Sequence, residues 1–539
     1  MAKYQLLDCT LRDGAYVVNA RFGNEAMCGI INKLQDSGVD IIECGWLKDT
    51  PHADGTSFFH MPEDLLRYLV KPKKKNSIFT AMIDWNRYDL SSLPPCDGRT
   101  IDAIRVVFPK AHFREGIALG QIIRAKGYRV YFQAANTPGY TDDELLAMID
   151  AVNEAGADSL SIVDTFGTMY PKDLQRIATL VDHNLDPAIH LGFHSHNNLQ
   201  LSFGLGIEFL RCLSDTRRTL TVDSSLCGMG RGAGNLPTEL VADYMNKSCA
   251  TAYDINRVLD AIDMYMSYFL QNYSWGYSVP YYISGTLCAH VNNIAYLTKT
   301  HRTNARDMKA ILESIDDAKR ITYDYATLEK KYVEYQSRKC EDSQSLAALT
   351  KVIRGRELLL LSPGESVVQE REKIDAYIAL HHPLIIGVNA AFSGFACDYL
   401  FFSSTFRMEY ARETNRDALA SVKLLVTSNV RADDIQPAVF NYTDYVKHGW
   451  KYFDNSTIIC MRILHRAGAK RITLAGFDGY HENGENDYSD PVLQTQQIDR
   501  GERAVLNREV KEMLRDFTNT HDVAVSFLTS SRYASFEKK

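Results

Sequence analysis

Eight short apolar runs, each followed by a polar or amphipathic stretch, fill the first part of the chain and set the narrowest limit on its fold. The runs are Tyr4–Cys9, Val39–Cys44, Ile78–Ile83, Ile101–Phe108, Arg129–Ala134, Ser159–Val163, His190–His194 and Thr219–Asp223. Helical spacing marks Glu25–Asp36, Phe113–Lys126, Thr141–Ala155 and Pro171–Val181 between them. Ser37-Gly38, Lys126-Gly127 and Ala155-Gly156 supply the glycine that helices favour at their ends. Thr141 and Glu144 have the spacing of a capping box. Eight strand-then-helix units in about 250 residues predict an α/β fold whose N-terminal part is a TIM (β/α)8 barrel. A doubly wound open sheet is the alternative with the same count.

In such a barrel, chemistry gathers at the C-terminal ends of the strands. The notable polar residues of the chain fall there. Arg12 and Asp13 follow the first strand, Glu43 ends the second and Asp84 follows the third. Asp164 and Thr165 follow the sixth, His194 and His196 end the seventh, and Asp223 with the loop Gly228–Asn235 follows the eighth. Residues i and i+2 of a strand point the same way, so the two imidazoles of His194-Ser195-His196 can reach one point. Two imidazoles beside a carboxylate suit a divalent metal.

The remaining properties narrow the class. The chain has 539 residues, enough for two or three domains at about 150 residues each. A net charge of -7 argues against a broad nucleic-acid surface. No apolar run reaches the roughly 18 residues of a membrane span, and no apolar leader precedes the first strand. Eleven scattered cysteines, with no C-x-x-C pair, indicate free thiols and a cytoplasmic location.

Asp8-Cys9-Thr10-Leu11-Arg12-Asp13-Gly14, Glu43-Cys44-Gly45, Asp164-Thr165-Phe166-Gly167, His194-Ser195-His196-Asn197 and Gly230-Arg231-Gly232-Ala233-Gly234-Asn235 occur in this order. Together they resemble the DRE-TIM metallolyases, the HMGL-like barrels that include aldolases, lyases and acyl-CoA-dependent synthases. The segment Trp275–Gly285 is similar to the opening of the small helical domain in the 4-hydroxy-2-oxovalerate aldolase branch.

The resemblance implies a divalent-metal-dependent aldolase that cleaves or forms a 4-hydroxy-2-oxo acid through pyruvate enolate. Asp13, His194 and His196 would hold the metal, with Asn235 a fourth ligand or a neighbour of the ligands. Mn2+ is the expected ion, with Mg2+, Co2+ or Zn2+ as alternatives. Arg12 would stabilise the developing oxyanion. Glu43 would orient Arg12 or a metal ligand, or form a salt bridge at the barrel mouth. Asp164 and Thr165 would contact substrate or cap the next helix. Gly232, in the glycine-rich loop, would help present amides to an anion or form a tight turn. The chain departs from the family at one point: Tyr16 stands where many aldolase-branch members carry a histidine. Tyr16, Tyr281, Tyr282 or a metal-bound water would then serve as base, or the substrate differs. An unperturbed tyrosine, with a pKa of about 10, is a weak base at neutrality.

Residues 256–345 read as a helical extension and linker, with helices at Arg306–Lys319 and Tyr325–Arg338 and the linker around Arg338–Ser345. They follow a barrel domain of residues 1–255. A second α/β pattern over 350–539 predicts a Rossmann-like domain. Its expected strands are the run from Leu358, Leu384–Val388, Tyr399–Ser403, Lys423–Thr427, Arg471–Gly476 and Val523–Leu528, with helices at Ser456–Ala467 and Gln497–Phe517. Ser362-Pro363-Gly364-Glu365-Ser366 would hold a phosphate or simply turn the chain. Asp478 and Asn389 would edge a nucleotide or sugar pocket, or belong to a scaffold. Expected partners are a 2-oxo acid and an aldehyde, with a homodimer, no nucleic acid and no membrane. An acyl-CoA-dependent Claisen-type enzyme and a non-catalytic binding protein on a degenerate barrel are the competing readings.

Overall fold

The structure is a computed structural model, and it describes residues 2–300, 303–392, 394–431, 436–450, 455–482, 486–494 and 500–534. The chain divides into two compact units, one of residues 1–295 with 316–323 and one of 296–315 with 324–539.

The first unit is built on eight strands: β1 (Lys3–Asp8), β2 (Ile41–Leu47), β3 (Ile78–Asp84), β4 (Ala103–Phe108), β5 (Arg129–Ala134), β6 (Ser159–Asp164), β7 (His190–Ser195) and β8 (Thr219–Ser224). They pair in the order β1-β8-β7-β6-β5-β4-β3-β2, and β1 pairs β2 to close the ring. Every pairing is parallel, with Leu7 beside Ile41 and Lys3 beside Thr219 at the closure. This is the TIM barrel, and the open-sheet alternative is excluded by that closure. Helices Asn24–Ser37, Phe113–Ala125, Asp142–Ala155 and Pro171–Asn184 lie between strands and bury apolar faces. The capping box of Thr141 and Glu144 is present.

β2 runs further than its apolar pattern, past Cys44 to Leu47. A register shift between Glu43 and Gly45 allows the extension, and the added residues pair with Phe58–Phe59. Gly45 adopts φ of 153°, and the Ser57 carbonyl presses where a side chain would begin.

The second unit carries a parallel sheet of β9 (Leu358–Leu361), β10 (Leu384–Val388), β11 (Tyr399–Phe402), β12 (Lys423–Thr427), β13 (Ala438–Phe440), β14 (Arg471–Ala475) and β15 (Ala524–Phe527). Its order is β13-β12-β11-β10-β9-β14-β15, so the winding reverses between β9 and β14. The expected helix over Arg306–Lys319 is two, Ala305–Glu313 and Asp317–Arg320. Helix Ser343–Ile353 begins inside the stretch read as a linker. Part of the expected helix from Gln497 lies outside the described residues; Arg500–Thr520 is helical.

Asp478 accepts hydrogen bonds from the Ser366 amide at 2.8 Å and from the Ser366 hydroxyl. The turn read as a phosphate holder thus already carries a carboxylate. Asn389, at φ of 52°, donates to Ser456 and accepts from the Ser403 amide. All eleven cysteines are free. Among the described residues no helix is long and apolar enough to cross a membrane.

Candidate metal centre

β1 delivers its chain directly into a helical turn, Thr10–Asp13. Buried Asp8 starts the turn by accepting from the Thr10 amide at 2.9 Å and from the Thr238 hydroxyl at 2.6 Å. Arg12 and Asp13 are thereby buried at the C-terminal end of the barrel. His194 lies near the end of β7 and His196 just beyond it, with ring centroids 5.2 Å apart. One ligand atom from each of Asp13, His194 and His196 lies within 4.8 Å of the others.

Their surroundings orient these donors. His194 Nδ1 donates to Asp223 at 3.0 Å, and His196 Nδ1 donates to the Arg231 carbonyl at 3.2 Å. Both partners are acceptors, which directs an Nδ1 proton toward them and leaves Nε2 of each ring facing away for a ligand. Asp13 accepts from Arg12 Nη1 at 2.7 Å and from Asn235 Nδ2 at 2.6 Å. Asn235 Oδ1 is buried with no hydrogen-bond partner. Gly230 closes one wall: a Cβ there would stand 2.6 Å from Asp13 Oδ2 and collide with the Asn235 amide nitrogen. Two imidazoles, a carboxylate and an unpartnered amide oxygen fit a divalent cation.

Electrostatics favour the ligating forms. Burial pushes Asp13 up, yet Arg12, His196, His194 and the Asn235 hydrogen bond together hold it well below the usual carboxylate range. Burial draws His196 down to about 4 against the pull of Asp13. Asp13 is thus ionised and His196 neutral at pH 7.

Beneath the centre, Arg105 of β4 crosses the barrel interior. It donates to Glu43 of β2 at 2.8 Å, to Gln133 of β5 at 2.7 Å and to Asp223 of β8. Glu43 also accepts from Arg12 Nε at 2.7 Å. Arg105 therefore links the group that orients Arg12 to the group that orients His194. Sequence reasoning misses Arg105 and Gln133; the signal for Arg105 is a lone cation within Ile104-Arg105-Val106-Val107.

The other anticipated residues are spread around the mouth. Tyr16 is half-exposed and packs edge-on against Trp46, while Trp46 donates to the Arg12 carbonyl. Burial pushes the Tyr16 and Tyr281 hydroxyls up, with Arg231 opposing in both cases. Tyr282 is exposed and is not drawn into the cluster. Asp164 accepts from the Thr168 and Met169 amides at 2.9 and 3.0 Å, which places it as a turn cap. Thr165 accepts from the Asn136 amide at 2.7 Å. Gly232 has φ of 67° in the loop that sets the Arg231 carbonyl against His196. Arg231 and His290, neither singled out from sequence, meet here as well.

The chain is similar to known proteins over about half of its length. The HMGL-like family profile matches residues 111–264. A 4-hydroxy-2-oxovalerate aldolase from Thermomicrobium roseum is 30% identical over 278 residues, 48% of this chain and 71% of its own length. An oxaloacetate decarboxylase from Mycobacterium tuberculosis is 27% identical over 263 residues, 48% of this chain and 74% of its own length. The solved N-terminal domain of a candidate aldolase from Bacteroides vulgatus is 24% identical, with a TM-score of 0.46 over 54% of this chain and 95% of that one. A barrel whose rim gathers Arg12, Asp13, His194, His196 and Asn235, and whose sequence aligns with the Thermomicrobium aldolase over most of that aldolase's length, makes this chain a member of the HMGL-like family.

Proposed function

We propose that the first unit is a divalent-metal-dependent aldolase that cleaves or forms a 4-hydroxy-2-oxo acid through pyruvate enolate. The observation that carries the reading is the set of Asp13, His194 and His196 with the partnerless Asn235 Oδ1, beside the buried guanidinium of Arg12. A bound divalent ion such as Mn2+ would supply Lewis-acid polarisation of the 2-oxo acid.

The chain's own groups do the rest. Arg12, held by Asp13 and Glu43, presents fixed positive charge to the oxygen that becomes negative as the carbon–carbon bond breaks. Asp223 and the Arg231 carbonyl keep the two imidazoles from rotating. Arg105 keeps Asp223 and Glu43 in place. Tyr16 and Tyr281, protonated at neutrality, suit donation of a proton to the alkoxide of the forming direction.

The oxaloacetate decarboxylase relative favours a second reading. Loss of carbon dioxide from oxaloacetate leaves the same enolate and requires no base at a 4-hydroxyl, for which high-pKa tyrosines are weak. Pyruvate release from 4-hydroxy-2-oxovalerate and from oxaloacetate, measured on Mn2+-loaded protein, separates the two. The proposal expects the hydroxy acid to be cleaved; release from oxaloacetate alone would move the assignment to decarboxylation.

A further inference from the structure

Among the described residues of the first unit, three buried arginines each have a carboxylate. Arg12 has Asp13 and Glu43, Arg105 has Glu43 and Asp223, and Arg218 has Asp182. Arg231 differs. It is half-buried, and its contacts are neutral or aromatic. Its Nη2 lies 2.9 Å from His290 Nε2 and 2.9 Å from Asn292 Oδ1, and its guanidinium stands 4.9 Å from the centre of the Tyr16 ring. The His290 ring is itself short of acceptors. Its Nδ1 faces the Asn292 amide at 3.2 Å, and a neutral imidazole has one acceptor nitrogen to share between that amide and Arg231. Burial, reinforced by Arg231, holds His290 at about 3, so the ring lends no charge.

The place of this cation is well defined. The carbonyl of the same residue holds His196, a metal-centre donor. The Tyr16 ring beneath the guanidinium belongs to the helical turn Ala15–Val18, which follows Asp13 after a single glycine. Tyr281 lies close enough to feel the charge. Arg231 thus sits between the end of β7 and the turn after β1, beside the centre.

We infer that Arg231 is a specificity-determining residue that binds an anionic substituent, a carboxylate or a phosphate, on the part of the substrate farthest from Asp13, His194 and His196. The inference rests on the aldolase reading and refines it: the electrophile or leaving aldehyde is an anionic one. A fork of N–H donors on a partly desolvated rim is suited to planar carboxylate or phosphate oxygens.

The test compares succinic semialdehyde, glyceraldehyde 3-phosphate and butanal as acceptors for pyruvate, using the full Mn2+-loaded chain. The wild type is expected to favour one anionic aldehyde over butanal by about 10- to 100-fold in kcat/KM, as for a hydrogen bond to a charged group. Which anionic aldehyde wins tells carboxylate from phosphate. Arg231→Gln should bring the ratio near one, and Arg231→Lys should restore part of it. A wild-type ratio near one, or a ratio unchanged by Arg231→Gln, overturns the inference.

Calorimetric titration with 4-hydroxybutanoate, glycerol 3-phosphate and butanol tests the same site without turnover. Anion binding weakened by Arg231→Gln and recovered by Arg231→Lys supports the anion site, whereas no binding, or equal binding in wild type and Arg231→Gln, overturns it. Absence of pyruvate methyl exchange in the wild type would sink the aldolase reading, and the titration would still decide whether Arg231 binds anions.

Discussion

At the scale of single residues, the candidate centre depends on the groups that stand behind Asp13, His194 and His196. Asp223 shares its carboxylate between Arg105 and His194, so Asp223→Asn should loosen the His194 ring and weaken metal affinity about 10- to 100-fold. Titration of the stripped protein with Mn2+ checks this; unchanged affinity would remove Asp223 from the argument. Asp8 offers a pH test away from the ligands. Burial raises it from 3.8 to about 6, against the hydrogen bonds from Thr238 and Thr10. The folded state therefore holds a proton that the unfolded chain releases between those values. The associated stability, about 3 kcal/mol, is complete below about pH 4 and is lost as pH rises through about 6. Asp8→Asn should remove that decline, so urea midpoints of variant and wild type should diverge in the variant's favour as pH rises. A constant difference would contradict the assignment. The paired histidines are legible in the sequence because strand alternation alone places i and i+2 together. Arg105 is not, since its partners come from three strands distant in sequence, and nothing in an apolar run announces a polar interior. Arg231 lies in plain view within a glycine-rich loop, yet its charge gains meaning only once its neighbours are seen to be neutral.

At the scale of elements, boundaries are legible where termination is local. Helix ends at Gly38 and Gly156 follow from left-handed glycines that cap Asn24–Ser37 and Asp142–Ala155. The extension of β2 is not, because it depends on a bulge and on Phe58–Phe59 arriving from a later segment. Strand Ala438–Phe440 is three residues long, too short for alternation to register. The β2 bulge also places Glu43, so its glycine matters to the site. Gly45→Ala would strain a backbone at φ of 153° and press on the Ser57 carbonyl. A loss of about 2–3 kcal/mol is expected, seen as a lowered thermal midpoint. An unchanged midpoint would mean that the bulge relaxes without cost.

At the scale of the whole molecule, barrel closure could be expected from eight units, but the pairing of β1 with both β2 and β8 is a three-dimensional fact that no local pattern carries. The division of the chain is less legible still. Residues 296–315 belong to the second unit, and 316–323 return to the first. The returning segment supplies the Arg320 and Thr322 carbonyls to Asn293, and the Arg320 carbonyl to the His290 amide. A chain ending at residue 323 should therefore melt at a higher temperature than one ending at 300; equal midpoints would show that the segment adds nothing to the first unit. The central claim, that this rim performs enolate chemistry on a divalent metal, is tested most directly by pyruvate methyl exchange in D2O followed by NMR. The full chain is stripped of metal, compared with and without restored Mn2+, and run beside His194→Ala. Exchange that requires the metal and is lost in His194→Ala is the predicted result; no exchange in the metal-loaded wild type would contradict the account.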